Sequence, residues 1–307
     1  MSLEAEKRGN YRLWSNMSCY GIVLPAVLIL LVFIYLPVFW AFSKSMYEFE
    51  IGGESKFVGL SNYAEFLTGD PVTWKSLANM LLLTLFYVVV RLTFPLVVAK
   101  FIISLPREKW RYLYRIVFLI PMVVPGVAVQ LIWGSMIYAD AGLLNEALRG
   151  LGLHGLTTGW LTNPATALVC VALVGFPFIG GFEVLIYYAG LSAIPDSVNE
   201  AALLEGCVGI RKFFKIDIPM VMSQLKLILI LTIIGGIQGF EGILILTQGM
   251  PGFETMVPGY WMYLNAFSFQ RMGYACAIGV MLFVLIFGMT FLNFKYFRSS
   301  EELQAQK

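Results

Sequence analysis

Ile194-Pro-Asp-Ser-Val-Asn-Glu-Ala-Ala-Leu-Leu-Glu-Gly206 separates two apolar runs, about 164–188 and 221–246, each long enough to cross a bilayer. A hydrocarbon core takes about 20 mostly apolar residues as a helix. The segment between the runs therefore turns the chain round at one membrane face. Ser197, followed three residues later by Glu200, has the spacing of a capping box. Ala201, Ala202, Leu203, Leu204 and Glu205 are helix formers, and Gly206 suits a C-terminal cap. The pattern predicts a helix of about two turns starting near Val198. A helix that short is marginal in water. Its Val198, Ala201, Ala202 and Leu204 lie where lipid does not cover them. That face packs either on its own bundle or on another protein.

Working outward, four more stretches are long and apolar enough to span: about 19–42, 79–103, 116–137 and 272–294. The composition agrees. Of 307 residues, 59% are apolar and 13% charged, and the mean hydropathy is +0.77. A soluble domain carries about 25% charged residues. The fold class is all-α integral membrane, with about six transmembrane helices. The run from Cys19 is too long for a signal h-region and has no small-residue cleavage site, so it reads as an uncleaved first span.

Orientation follows from Lys and Arg. Lys7, Arg8 and Arg12 precede the first span, Arg107, Lys109, Arg111 and Arg115 crowd the connector after the second, Arg211, Lys212 and Lys215 follow the fourth, and Lys295, Arg298 and Lys307 close the chain. The opposite loops carry few: Lys44, Lys56, Lys75, Arg149 and Arg271. By the positive-inside rule both termini are cytoplasmic. The expected organisation is a cytoplasmic segment over 1–18, one multi-pass domain over 19–296 in the cytoplasmic membrane, and a cytoplasmic tail over 297–307. The connector from Asp140 to Asn163 belongs at the outer interface, where Trp133, Trp160 and Trp261 suit either interfacial anchoring or ordinary packing.

Several function classes fall away. A formal charge of +2 implies no nucleic-acid partner. Cys19, Cys170, Cys207 and Cys276 have no metal-ligand spacing and read as small buried hydrophobes, and His154 is the lone histidine. No metal site is expected. There is no GxxxxGK[ST] to cradle ATP phosphates and no HExxH, so no catalytic residues are assigned.

Glu200-Ala201-Ala202, Gly206, Ile216 and Ile218-Pro219 resemble the EAA loop of binding-protein-dependent ABC importer permeases, here spanning 194–219. Ile218 stands where Leu is usual. Further stretches resemble the carbohydrate branch, of maltose and glycerol-phosphate permease type: Phe57-Val-Gly-Leu-Ser-Asn-Tyr63, Gly142-Leu-Leu-Asn145, Thr247-Gln-Gly-Met-Pro251 with Thr255, and Gly273-Tyr-Ala-Cys-Ala277. Met250 replaces a glycine of that pattern. The resemblance implies a type I ABC importer permease fold, with Glu200, Ala201, Ala202, Gly206, Ile218 and Pro219 coupling it to an ATPase. It also implies partners: a second permease, an ATPase subunit dimer holding ATP and Mg, an extracytoplasmic solute-binding protein, and a sugar or oligosaccharide. No cofactor is expected on this chain. An ABC permease for a non-sugar solute and an ion-driven secondary carrier are the alternatives.

Ionisable residues inside spans are functional candidates because hydrocarbon penalises them. Arg91 lies near the middle of the second span, Glu183 in the inner half of the fourth and Glu241 near the outer end of the fifth, while Lys100 and Lys226 lie close enough to the cytoplasmic ends to snorkel. Arg91 either locks the bundle through a carboxylate or handles substrate. Sugars present hydroxyl edges and flat CH faces, which call for planar polar groups beside aromatics. In maltose-type permeases the spans flanking the EAA loop build the site. The corresponding substrate candidates here are Phe178, Phe182, Gln238 and Glu241, and small residues nearby serve close helix packing equally well.

Overall fold

The computed structural model describes residues 20–50, 52–53, 55–177 and 180–296. The two terminal segments, Cys19 and Phe178 lie outside the described residues. Helix α1 (Tyr20–Lys44) leads into a two-stranded antiparallel ribbon, β1 (Tyr47–Glu48) with β2 (Lys56–Phe57), in the register Tyr47 opposite Phe57. Helix α2 (Thr73–Ser104) then runs unbroken for 32 residues, about 48 Å at 1.5 Å per residue.

The third apolar run divides. Helix α3 (Glu108–Val123) meets α4 (Gly126–Ile137) at 87°. Pro125 supplies the reason, since a residue preceding proline avoids the helical region and Val124 is extended at ψ 128°. A short α5 (Leu143–Gly150) caps the outer connector. The fourth run is also two helices, α6 (Ala167–Ala172) and α7 (Gly181–Ser192). Gly180 stands at their junction with φ +92°, and a Cβ there would come within 2.8 Å of Pro95 on α2. Only glycine satisfies both conditions.

Helix α8 (Asp196–Leu204) is the short helix expected between the fourth and fifth spans. It starts two residues earlier than Ser197 would set. Pro195 occupies the N-cap, no side chain caps the helix, and Ser197 falls inside the first turn. The capping box therefore does not form. Helix α9 (Gly209–Met220) turns 70° into α10 (Met222–Gln238), and after a break at Gly239 and Phe240 comes α11 (Glu241–Leu246). Helix α12 (Pro258–Tyr263) precedes the last span, α13 (Met272–Tyr296). About six crossings result, of which α1, α2 and α13 are unbroken.

Two apolar cores are stacked along α2. One gathers Met80 and Leu83 with Ile237, Tyr260 and Ile278. The other gathers Leu96, Ala99 and Ile102 with Tyr187, Val221 and Ile228 near α8. Arg91 lies between them in sequence, near the middle of the helix. Cys170 and Cys207 are buried and Cys276 partly so, as small hydrophobes are.

The end opposite α8 is tied by polar contacts that use the motif residues quoted above. Asn62 Nδ2 donates to the carbonyls of Ser45 (2.8 Å) and Tyr47 (3.0 Å). Buried Asn145 donates to the carbonyl of Thr158 (3.0 Å) and accepts from Trp160 Nε1 (2.9 Å). Thr247 Oγ1 and Thr255 Oγ1 are 2.7 Å apart, and Thr255 donates to the carbonyl of Met250 (2.8 Å), so the turn closes with Met250 in the glycine position. Asp70 accepts from Trp261 Nε1 (2.6 Å) and Tyr274 Oη (2.5 Å). Trp160 and Trp261 are thus hydrogen-bonded into this network.

Candidate functional site

A cavity of about 530 Å³ opens against the first of these cores, lined by its Leu83, Val171 and Ile243. Tyr87 and Arg91 reach it from α2, Gln130 from α4, and Gln238, Phe240 and Glu241 from the broken fifth span. The break is what aims the last three. Gly239 is extended (φ −67°, ψ 122°), which ends α10 at Gln238 and restarts the helix at Glu241. Lone extended residues between helix ends leave backbone and side chains facing a cavity, which is where a membrane protein tolerates irregular chain.

Arg91 Nη1 donates to Glu183 Oε1 at 3.1 Å. The two partners differ in environment: the Glu183 side chain is 10% exposed and that of Arg91 40%. The carboxylate is held inside the bundle and the guanidinium faces the cavity, with its centre 5.9 Å from the Tyr87 ring. Both readings of Arg91 meet here, since the pair ties α2 to α7 while part of the side chain stays exposed, with Nε itself buried. Gln130 Oε1 is buried without a hydrogen-bond partner. Such an atom costs free energy until something donates to it.

The structure brings Gln238 and Glu241 together. Phe182 is not with them: it is half-exposed on the first turn of α7 and does not line the cavity. The cavity offers amides, a guanidinium, a carboxylate and the rings of Tyr87 and Phe240, a set able to bind a compact, hydroxyl-rich solute.

At the other site, α8 ends in a Schellman cap. Gly206 N–H donates to the carbonyl of Leu203 (3.1 Å) and Cys207 N–H to that of Ala202 (2.8 Å). Gly206 takes the left-handed conformation this requires, φ +68°. Ala202 and Cys207 are buried under the cap, and Val198 packs against the lower core. Glu200, Ala201, Leu203 and Leu204 stay exposed, Leu204 at 90%. The helix therefore does both things the sequence left open: one side packs on its own bundle and the other is uncovered. Downstream, buried Asp217 receives Lys100 of α2 (2.5 Å) and Lys212 (3.1 Å), which fixes the return path against the bundle. Ile218 is partly buried after it and Pro219 exposed.

The sequence model for binding-protein-dependent transport system inner membrane components matches residues 92–296. The chain belongs to that family. This permease is 31% identical over 284 residues to the probable ABC transporter permease protein YurN of Bacillus subtilis, covering 92% of this chain and 97% of the relative. It is 30% identical over 281 residues to the arabinooligosaccharides transport system permease protein AraP of the same organism, covering 90% and 87%. A crystal structure of a bacterial ABC transporter involved in import of the acidic polysaccharide alginate contains a chain of the same fold, with TM-score 0.80 and 19% identity, covering 94% of the permease and all of that chain.

Three features of the sites escaped sequence reasoning. Asp217 is a single acid between apolar and basic neighbours, and its signal was Lys100 at the same membrane depth on another span. Gln130 looked like one polar residue in an apolar run until the Pro125 bend turned it inward. Leu203 was read only as a helix former, yet it is exposed beside Leu204.

Proposed function

We propose that this permease carries a sugar or oligosaccharide across the cytoplasmic membrane by alternating access. An extracytoplasmic binding protein delivers the solute to a pathway lined by this chain and a second permease. ATP and Mg sit on a separate pair of ATPase subunits. This chain binds no cofactor, and the ATPase movement reaches it through Glu200, Ala201, Ala202 and Gly206, with Ile218 and Pro219 on the return segment.

The observation that carries the reading is the cavity that holds Gln238 and Glu241, on the span following α8, together with Arg91 of α2. Its amides and rings suit hydroxyls and CH faces, and the relative AraP is named for arabinooligosaccharides. The uncovered side of α8 supports the coupling role: Leu203 and Leu204 present apolar surface at an end that lipid does not reach, which favours burial by a protein partner. Both movements fit the breaks in the spans, because a two-helix span bends at its junction more readily than a continuous one.

The test is ATP-dependent uptake into proteoliposomes containing this chain, its second permease, the ATPase and the binding protein, with a panel of labelled oligosaccharides and non-sugar solutes. Uptake of one sugar class, lost in Gln238→Ala with the complex still assembled, supports the reading. Uptake of an amino acid or inorganic ion with no sugar accepted overturns it.

A further inference from the structure

The cavity carries two ionisable residues on its lining, Arg91 and Glu241. They are not equivalent. Arg91 already has a counter-charge, because Glu183 stands 3.1 Å behind it. Glu241 makes no ion pair or hydrogen bond among the described residues, and its side chain is exposed to the cavity. The remaining polar groups, the amides of Gln130 and Gln238 and the hydroxyl of Tyr87, are uncharged and have both donors and acceptors, so they accept either sign of ligand polarity.

A fixed charge between low-dielectric walls is felt far more strongly than at a surface. With Arg91 neutralised by Glu183, the sign of the cavity is set by Glu241. We infer that this cavity selects neutral or cationic sugars and rejects acidic ones, with Glu241 as the residue that discriminates. This rests on the sugar reading above and narrows its substrate class. The Arg91–Glu183 pair has a second role in this arrangement: it keeps a hydrogen-bond donor at the cavity wall without leaving a net positive charge there.

The test is isothermal titration of the assembled transporter in detergent with three trisaccharides of one linkage, built from glucose, glucosamine and glucuronic acid. The working pH is mildly acidic, so the amines and the uronates are both charged. The glucose and glucosamine trimers are expected to bind, with the uronate trimer at least about tenfold weaker than glucose. Added salt should narrow the gap. Glu241→Gln, which keeps the shape of the side chain, should bring the uronate trimer to within about threefold of glucose. A uronate trimer that binds wild type as well as glucose does, while sugars still bind, overturns this inference alone. If no trimer of any charge binds, the sugar reading and this inference fall together.

Discussion

At the scale of single residues, several buried groups have fixed partners. Glu183 is nine-tenths buried and Arg91 is its counter-charge. Removing one member of such a pair strands the other, whereas replacing both with apolar residues does not. Arg91→Leu should therefore destabilise the permease by about 2 kcal/mol, read as a lower Tm of purified protein, and Arg91→Leu with Glu183→Leu should recover most of the loss. Equal melting of the single and double variants would show that the pair does not hold α2 to α7. Asn145 is the second such residue. It satisfies the Trp160 indole and the Thr158 backbone at once. Asn145→Ala should cost about 2 kcal/mol and expose the Asp140–Asn163 connector to protease. An unchanged cleavage rate there would count against its role.

Among elements, α8 and its return segment form one unit. The Schellman cap sends the chain back at Gly206, and Asp217 clamps it to α2 through Lys100 and pairs along α9 with Lys212. Asp217→Ala leaves two neighbouring lysines with no counter-charge, so tryptic cleavage at Arg211, Lys212 and Lys215 should speed up severalfold in the purified permease. A cleavage pattern identical to wild type would mean that the clamp does not order the segment. The legibility of these elements in the sequence was uneven for physical reasons. Apolar length placed the spans, and Ala201, Ala202 and Gly206 placed the helix and its end, because those signals are local. The capping box was misread, because Pro195 starts the helix before Ser197 reaches the cap position. The two-helix spans were hard to read, because hydropathy sums over a break; Pro125, Gly180 and Gly239 mark three of the places where the chain turns. For the cavity, Gln238 and Glu241 were legible as polar residues beside glycines on the span after the loop. Gln130 was not, since its inward aim depends on an 87° bend.

Over the whole molecule, two apolar cores sit at different heights on α2, with a polar cavity against the one farther from α8. That layout suits a device in which one end moves relative to the other around a bound solute. The end opposite α8 is cross-braced by Asp70, Asn62 and Asn145, while the α8 end presents an uncovered apolar side. In the proposed mechanism, force enters at α8. Leu204 is the most direct probe, because it is 90% exposed in this chain and its replacement disturbs nothing inside the permease. The deciding measurement is ATP hydrolysis by the reconstituted transporter, with and without solute-loaded binding protein, for wild type and Leu204→Asp. Severalfold stimulation is expected in wild type and none in the variant, whose permease still inserts and melts normally. Full stimulation of the variant would contradict coupling through α8.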